Sequence, residues 1–115
     1  MLVIQPQPIG PTSLVSANAT AAAGVQIAAA GSNIFTNFQF TNQLAEVVAV
    51  GYGKSAAEAQ ANAVLPTGNT ATTASNCVVV ANGSIGYRIP VPNPFFSIKS
   101  QAANGNVFIT PIAGG

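Results

Sequence analysis

Five side chains carry most of the chemistry this chain could do: Glu46, Glu58, Lys54, Lys99 and Cys77. General acid–base catalysis needs titratable groups held in pairs, and without histidine the candidates are Glu46 and Glu58 alone. Glu46 falls in a break between two strand-like runs and Glu58 in a helix-prone stretch, so each reads as a solvated carboxylate. Cys77 sits in Cys77-Val78-Val79-Val80 and reads as a small apolar residue, not a nucleophile. As the single cysteine it closes no intramolecular disulfide. One thiol and two glutamates make neither a zinc nor a calcium site, so no metal and no cofactor is expected.

One spacing imitates a nucleotide site. A strand-like run ends at Tyr52, Gly53-Lys54-Ser55 follows, and a helix-prone segment comes next, which is the order of a phosphate-binding loop. That loop needs a glycine five residues before Gly53, so that backbone amides can wrap the phosphates, and Val48 stands there. No aspartate exists in the chain to order a magnesium ion. A rim turn with a solvated Lys54 is the expectation.

Composition narrows the classes further. Charged residues are 4% of the chain, where about 25% is usual, so the surface is built from Asn, Gln, Ser, Thr, Ala and Gly. Three scattered basic residues cannot make the footprint that phosphate backbones require, and direct nucleic-acid binding is not expected. No apolar run approaches the roughly 20 residues of a spanning helix. Met1-Leu2-Val3-Ile4 is followed at once by Gln5-Pro6-Gln7-Pro8, which lacks the pattern of a secretory signal. Without export, Asn18-Ala19-Thr20 and Asn82-Gly83-Ser84 carry no weight as glycosylation sequons.

Periodicity supplies the architecture. Residues 36–52, TNFQFTNQLAEVVAVGY, alternate apolar and polar positions on both sides of a break, which reads as a central hairpin. Further strand-like runs lie at 77–81, 85–89, 95–100 and 107–110, punctuated by Asn82-Gly83, by Pro90-Val91-Pro92-Asn93-Pro94 and by Asn104-Gly105. Short strands at such spacing are the signature of an all-β sandwich or barrel, and the expectation is an antiparallel β-sandwich (jelly-roll or Ig-like). Phe38, Phe40, Val48, Val50, Ile85, Phe96, Ile98, Val107 and Ile109 are expected to share its core. Residues 54–65 predict one short rim helix, capped by Ser55 with Glu58 three residues on. Residues 67–76 read as a mobile loop. Residues 1–16, rich in proline at their start, form an extended N-terminal arm or edge strand, leaving 17–115 as a single domain.

The candidate partner contacts are then Leu2, Val3, Ile4 and Ile9 on the arm, with Tyr52 and Tyr87 at a sheet margin. A chain without histidine, aspartate or a basic patch suits a building block better than a catalyst, because a neutral surface is buried with little desolvation of charge. The runs LVIQPQPIGPTSLVS, FTNFQFTN, VVAVGYG, GSIGYRIPVPNPFFSIKS and GNVFITPIAGG resemble small virion proteins of tailed bacteriophages, among them capsid decoration (cement) proteins. That resemblance implies a homo-oligomer, dimer or trimer, on the outer capsid surface, bridging capsomers of the major capsid protein. The other reading is a receptor- or carbohydrate-binding module of a head fibre or tail, with Tyr52 and Tyr87 stacking on sugar. No enzymatic activity is expected.

Overall fold

The computed structural model describes residues 7–27, 37–66 and 74–113, and everything below concerns those residues. They form nine strands and one helix: β1 (Gln7–Pro8), β2 (Ser13–Asn18), β3 (Val25–Gln26), β4 (Asn37–Asn42), β5 (Val48–Gly53), α1 (Ala56–Asn62), β6 (Asn76–Val79), β7 (Ser84–Arg88), β8 (Phe95–Ser100) and β9 (Gly105–Ala113). The fold is all-β, as the alternation requires. A single sheet runs in the order β6-β5-β8-β2-β9-β4-β7 and curls until its two halves face each other. β1 extends the row beside β9, and β3 adds to β8.

The curl is visible in the rings. β4 and β8 are separated in the sheet by β2 and β9. Nevertheless Phe96 meets Phe38 edge-on at 5.1 Å and Phe40 at 5.4 Å between centroids. All three rings are fully buried, with Val48, Val50, Val79, Ile98, Val107 and Ile109 around them. Burial of each such side chain stabilises the fold by about 1.5–3 kcal/mol, and each edge-on pair adds about 0.5–1.5. Of the expected core only Ile85 departs, being 42% exposed. It lies opposite buried Phe40 in the ladder but on the end strand β7, where no further strand covers its flank.

Several expected pairings are replaced. β4 and β5 are not a hairpin: β4 pairs with β7 and β9, β5 with β6 and β8. Asn82-Gly83 does form a turn, with Asn82 at φ 52° and the Gly83 N–H on the Val80 carbonyl, yet the strands it joins diverge to different neighbours. The last two strands are likewise parted, because β2 inserts between β8 and β9. Residues 13–16, expected to belong to the arm, are therefore in an interior strand with Val15 buried. β2 also runs parallel to β8 at Ala17 and Asn18, so the sheet is not purely antiparallel.

The connection from β4 to β5 crosses between the two halves, and Asn42 holds it. Its Oδ1 accepts from the Leu44 N–H, while its Nδ2 donates to the carbonyls of Glu46 and Val80. The side chain is 1% exposed, and two more bonds dock the same connection: Asn82 N–H to Leu44 O and Gln43 N–H to Asn106 O.

The helix begins as its sequence dictates, with the Ser55 hydroxyl accepting from the Glu58 N–H. It ends at Asn62, before Pro66, and the Asn76 amide caps it by donating to the carbonyls of Asn62 and Val64. It lies against the outer face of β5, where Gly51 admits it: a Cβ there would stand 2.3 Å from the Ala63 nitrogen. Residues 19–24 fill the rest of that face. Their carbonyls accept from Lys99 Nζ at Ala19, Gln60 at Ala21 and Ser97 at Ala22, which is why Ser97 is buried.

Two substitutions test this packing. Asn42→Leu, similar in size but without the three bonds, should cost about 2–3 kcal/mol in denaturant unfolding, because buried backbone groups lose their partners. Gly51→Ala should cost about 1–3 kcal/mol by pushing the helix off the sheet, whereas in a loosely seated helix it would be neutral.

Candidate functional site

The residues capable of chemistry are not brought together. Cys77 lies on β6 opposite Val50, half-buried, and burial pushes its thiol up to about 12, so it remains protonated and inert at neutral pH. Glu58 stands in the first turn of α1, its side chain folded over Gly53. Glu46 has a structural task. Its Oε1 accepts from the N–H groups of Ala102 and Ala103, both at 2.8 Å, tying the β4–β5 connection to the turn after β8. These two bonds hold its carboxyl below the ordinary 4.5. No group of three His, Cys, Asp or Glu that could hold a metal ion exists among the described residues, and no helix there is long and apolar enough to cross a membrane.

The two tyrosines are placed differently from a sugar-stacking pair. Tyr87 packs on Phe40 at 6.1 Å, and its hydroxyl donates to the Val78 carbonyl at 3.0 Å, spanning from β7 to β6 across the opening of the curled sheet. Burial, then the neighbouring Cys77, pushes its phenol up. Tyr52 also packs against the core, from the other end of the sheet path beside β6. Tyr52 stands on β5 and Tyr87 on β7, strands that are not neighbours in the sheet. Leu2, Val3 and Ile4 lie outside the described residues. Ile9 is exposed beside the end of β9, its N–H on the Pro111 carbonyl. The loop expected at 67–76 lies largely outside the described residues as well.

What the strands do assemble is a face. On the outer side of β2, β9, β4 and β7 the register sets Leu14 beside Phe108, Phe108 beside Thr41 and Thr41 beside Ser84. The next row holds Thr110, Gln39 and Gly86, with Thr12 joined to Thr110 by hydroxyls 2.7 Å apart. Gln39 Nε2 donates to the Ser84 hydroxyl at 2.6 Å, so neighbouring polar groups are pre-ordered along the sheet. Arg88, at the end of β7, is the ionisable residue at the margin. Leu14, on the β2 side of this neutral field, is 53% exposed. A shallow recess of about 310 Å³ between Pro8, Gln39, Thr110 and Ile112 marks one end. On the opposite side of the molecule a second groove, about 550 Å³, runs between Val47, Leu65, Pro66 and Val78, with Lys99 on its wall.

Leu14 and Phe108 were not among the sequence-derived contacts. Part of the signal was present, since Phe108 alternates with Val107 and Ile109 and so faces away from the core they share. It had no meaning until β2 was known to lie beside β9. No protein family, curated protein or solved structure matches the chain.

The Glu46 bonds give a pH test. With its carboxyl held below 4.5 in the folded protein, its contribution to stability is full above that value and is lost as pH falls through the lowered one. Glu46→Gln should melt below the wild type at neutral pH and converge on it in acid, as thermal unfolding followed by circular dichroism would show. Equal melting of the two proteins at neutral pH would remove the proposed role.

Proposed function

We propose that this protein is a structural component of a virion that decorates a phage capsid and bridges capsomers of its major capsid protein, attaching through the outer face of β2, β9, β4 and β7. The observation that carries this reading is the make-up of that face: Leu14 and Phe108 set among threonine, serine and glutamine, with ionisable character confined to Arg88 at its edge. Attachment there strips water from hydroxyls and amides that can pair again, and from two apolar side chains, without stranding a charge. The opposite outer face is partly covered by α1 and residues 19–24, which leaves only the groove beside Val47, Leu65 and Val78 there, so the face of β2, β9, β4 and β7 is the broader one among the described residues.

The resemblance of the sequence runs to capsid decoration proteins supplies the identity of that partner. The chemistry of the face supplies only its character, a flat protein surface of low charge. The exposed Ile9, at the end of the same row of strands, extends the contact toward the N-terminal residues. The alternative as a carbohydrate-binding module loses its stacking platform, because Tyr52 and Tyr87 pack against the core.

Purified protein should add back to stripped particles in fixed stoichiometry and raise their rupture temperature. Leu14→Glu should reduce that binding at least tenfold in co-sedimentation while the protein's own melting temperature stays within a few degrees. Undiminished binding by this variant would move the attachment surface elsewhere, and failure of the wild type to bind would reject the assignment.

A further inference from the structure

The curled sheet ends in two strands, and they are finished differently. On β6 the Val78 carbonyl at the open side is occupied by the Tyr87 hydroxyl, and just past the strand the Val80 carbonyl is occupied by the Asn42 amide. On β7 no comparable bond reaches the backbone from its outer side among the described residues. Sheets blunt such edges with proline, inward-pointing charge or a bulge. β7 reads Ser84-Ile85-Gly86-Tyr87-Arg88 and pairs with β4 residue for residue, so it has no proline and no bulge, and its one charge is at its end. Ser84, Ile85 and Gly86 are all exposed.

We propose that β7 is a self-association edge, pairing antiparallel with β7 of a second copy of this chain about a two-fold axis at Gly86. A second copy fits because the strand is complementary to itself in this register. Gly86 meets Gly86 of the other copy with no side chain to obstruct the approach. Ile85 then lies across from Tyr87, which covers the flank left open beside Phe40. Ser84 lies across from Arg88, so the two arginines stand about 13 Å apart along the strands, beyond the screening length of roughly 8 Å at physiological salt. Like charges therefore do not oppose the pairing. The register also joins the neutral faces of two copies into one surface of eight strands, an extension that goes beyond the attachment proposed above and does not require it.

The test is sedimentation equilibrium of the full chain across a wide concentration range. The wild type should show a monomer–dimer equilibrium, and Ile85→Lys, which places a charge on the edge, should weaken it at least tenfold with unchanged circular dichroism. Ser84→Glu provides a second variant whose effect has the opposite sign: facing Arg88 of the other copy, it should tighten the dimer several-fold at low salt and lose that gain at high salt. A wild type that stays monomeric at the highest concentrations overturns the proposal, as does a dimer indifferent to both substitutions. Particle binding by a monomeric Ile85→Lys would leave the capsid assignment standing, and a dimer that binds no particle would reject that assignment alone.

Discussion

A sheet that curls on itself needs something to fix the crossing from one half to the other, and here that is the buried amide of Asn42. It stands where β4 ends and the chain must leave one layer for the other. One oxygen turns the backbone at Leu44, and the nitrogen reaches forward to Glu46 and across to the end of β6. The same side chain thus shapes a connection and closes the margin of the sheet. A buried polar group in this position is stabilising only when its hydrogen bonds are made together. Glu46, four residues on, reinforces the crossing from outside by holding the turn after β8. The aromatic cluster packs the centre of the core, and the amide holds the crossing between the two halves that this cluster joins.

The two outer faces of the sheet show how a chain with so few charges divides its surface. Over β5 and β8 a helix of alanines and a loop of small residues fit closely, because Gly51 and Gly24 leave room and Ser97, Lys99 and Gln60 satisfy the loop's carbonyls. Over β2, β9, β4 and β7 nothing comparable is laid down among the described residues. Where the sheet is covered, the outward side chains meet the helix and loop directly, with Gly51 beneath α1 and Ser97 and Lys99 bonded to residues 19–24; where it is open, Leu14, Gln39, Thr41 and Phe108 stand outward. Low charge serves both purposes, since it permits close covering on one side and dry contact on the other.

Alternation made the strands and their inward faces legible. Phe38, Phe40, Phe96, Ile98, Val107 and Ile109 are buried as their spacing requires, and the Ser55 cap marks the helix start. Partners were another matter. A strand, a polar break and another strand look alike whether they form a hairpin or cross between layers, because periodicity records which side a residue faces and not its neighbour. The Asn82-Gly83 dipeptide does make its tight turn, yet flanking pairing depends on where β4 and β5 have gone. Ile85 shows the same limit in miniature, apolar and inward-pointing but at the end of the row. The attachment face was illegible for that reason: it exists only through adjacencies such as Leu14 with Phe108, nearly the whole chain apart.

That last adjacency has a kinetic consequence. β2, near the start of the described chain, is clasped between β8 and β9, near its end, and β4 likewise depends on β9. Contacts of such long sequence separation require a large loop to close before they stabilise anything, so folding of this topology belongs to the slow end for a chain of its size. During synthesis the early strands emerge without the neighbours that complete them. A nascent chain of this kind joins the two halves of its sheet only once β9 has left the ribosome, and until then β2 and β4 are open to other segments and to chaperones.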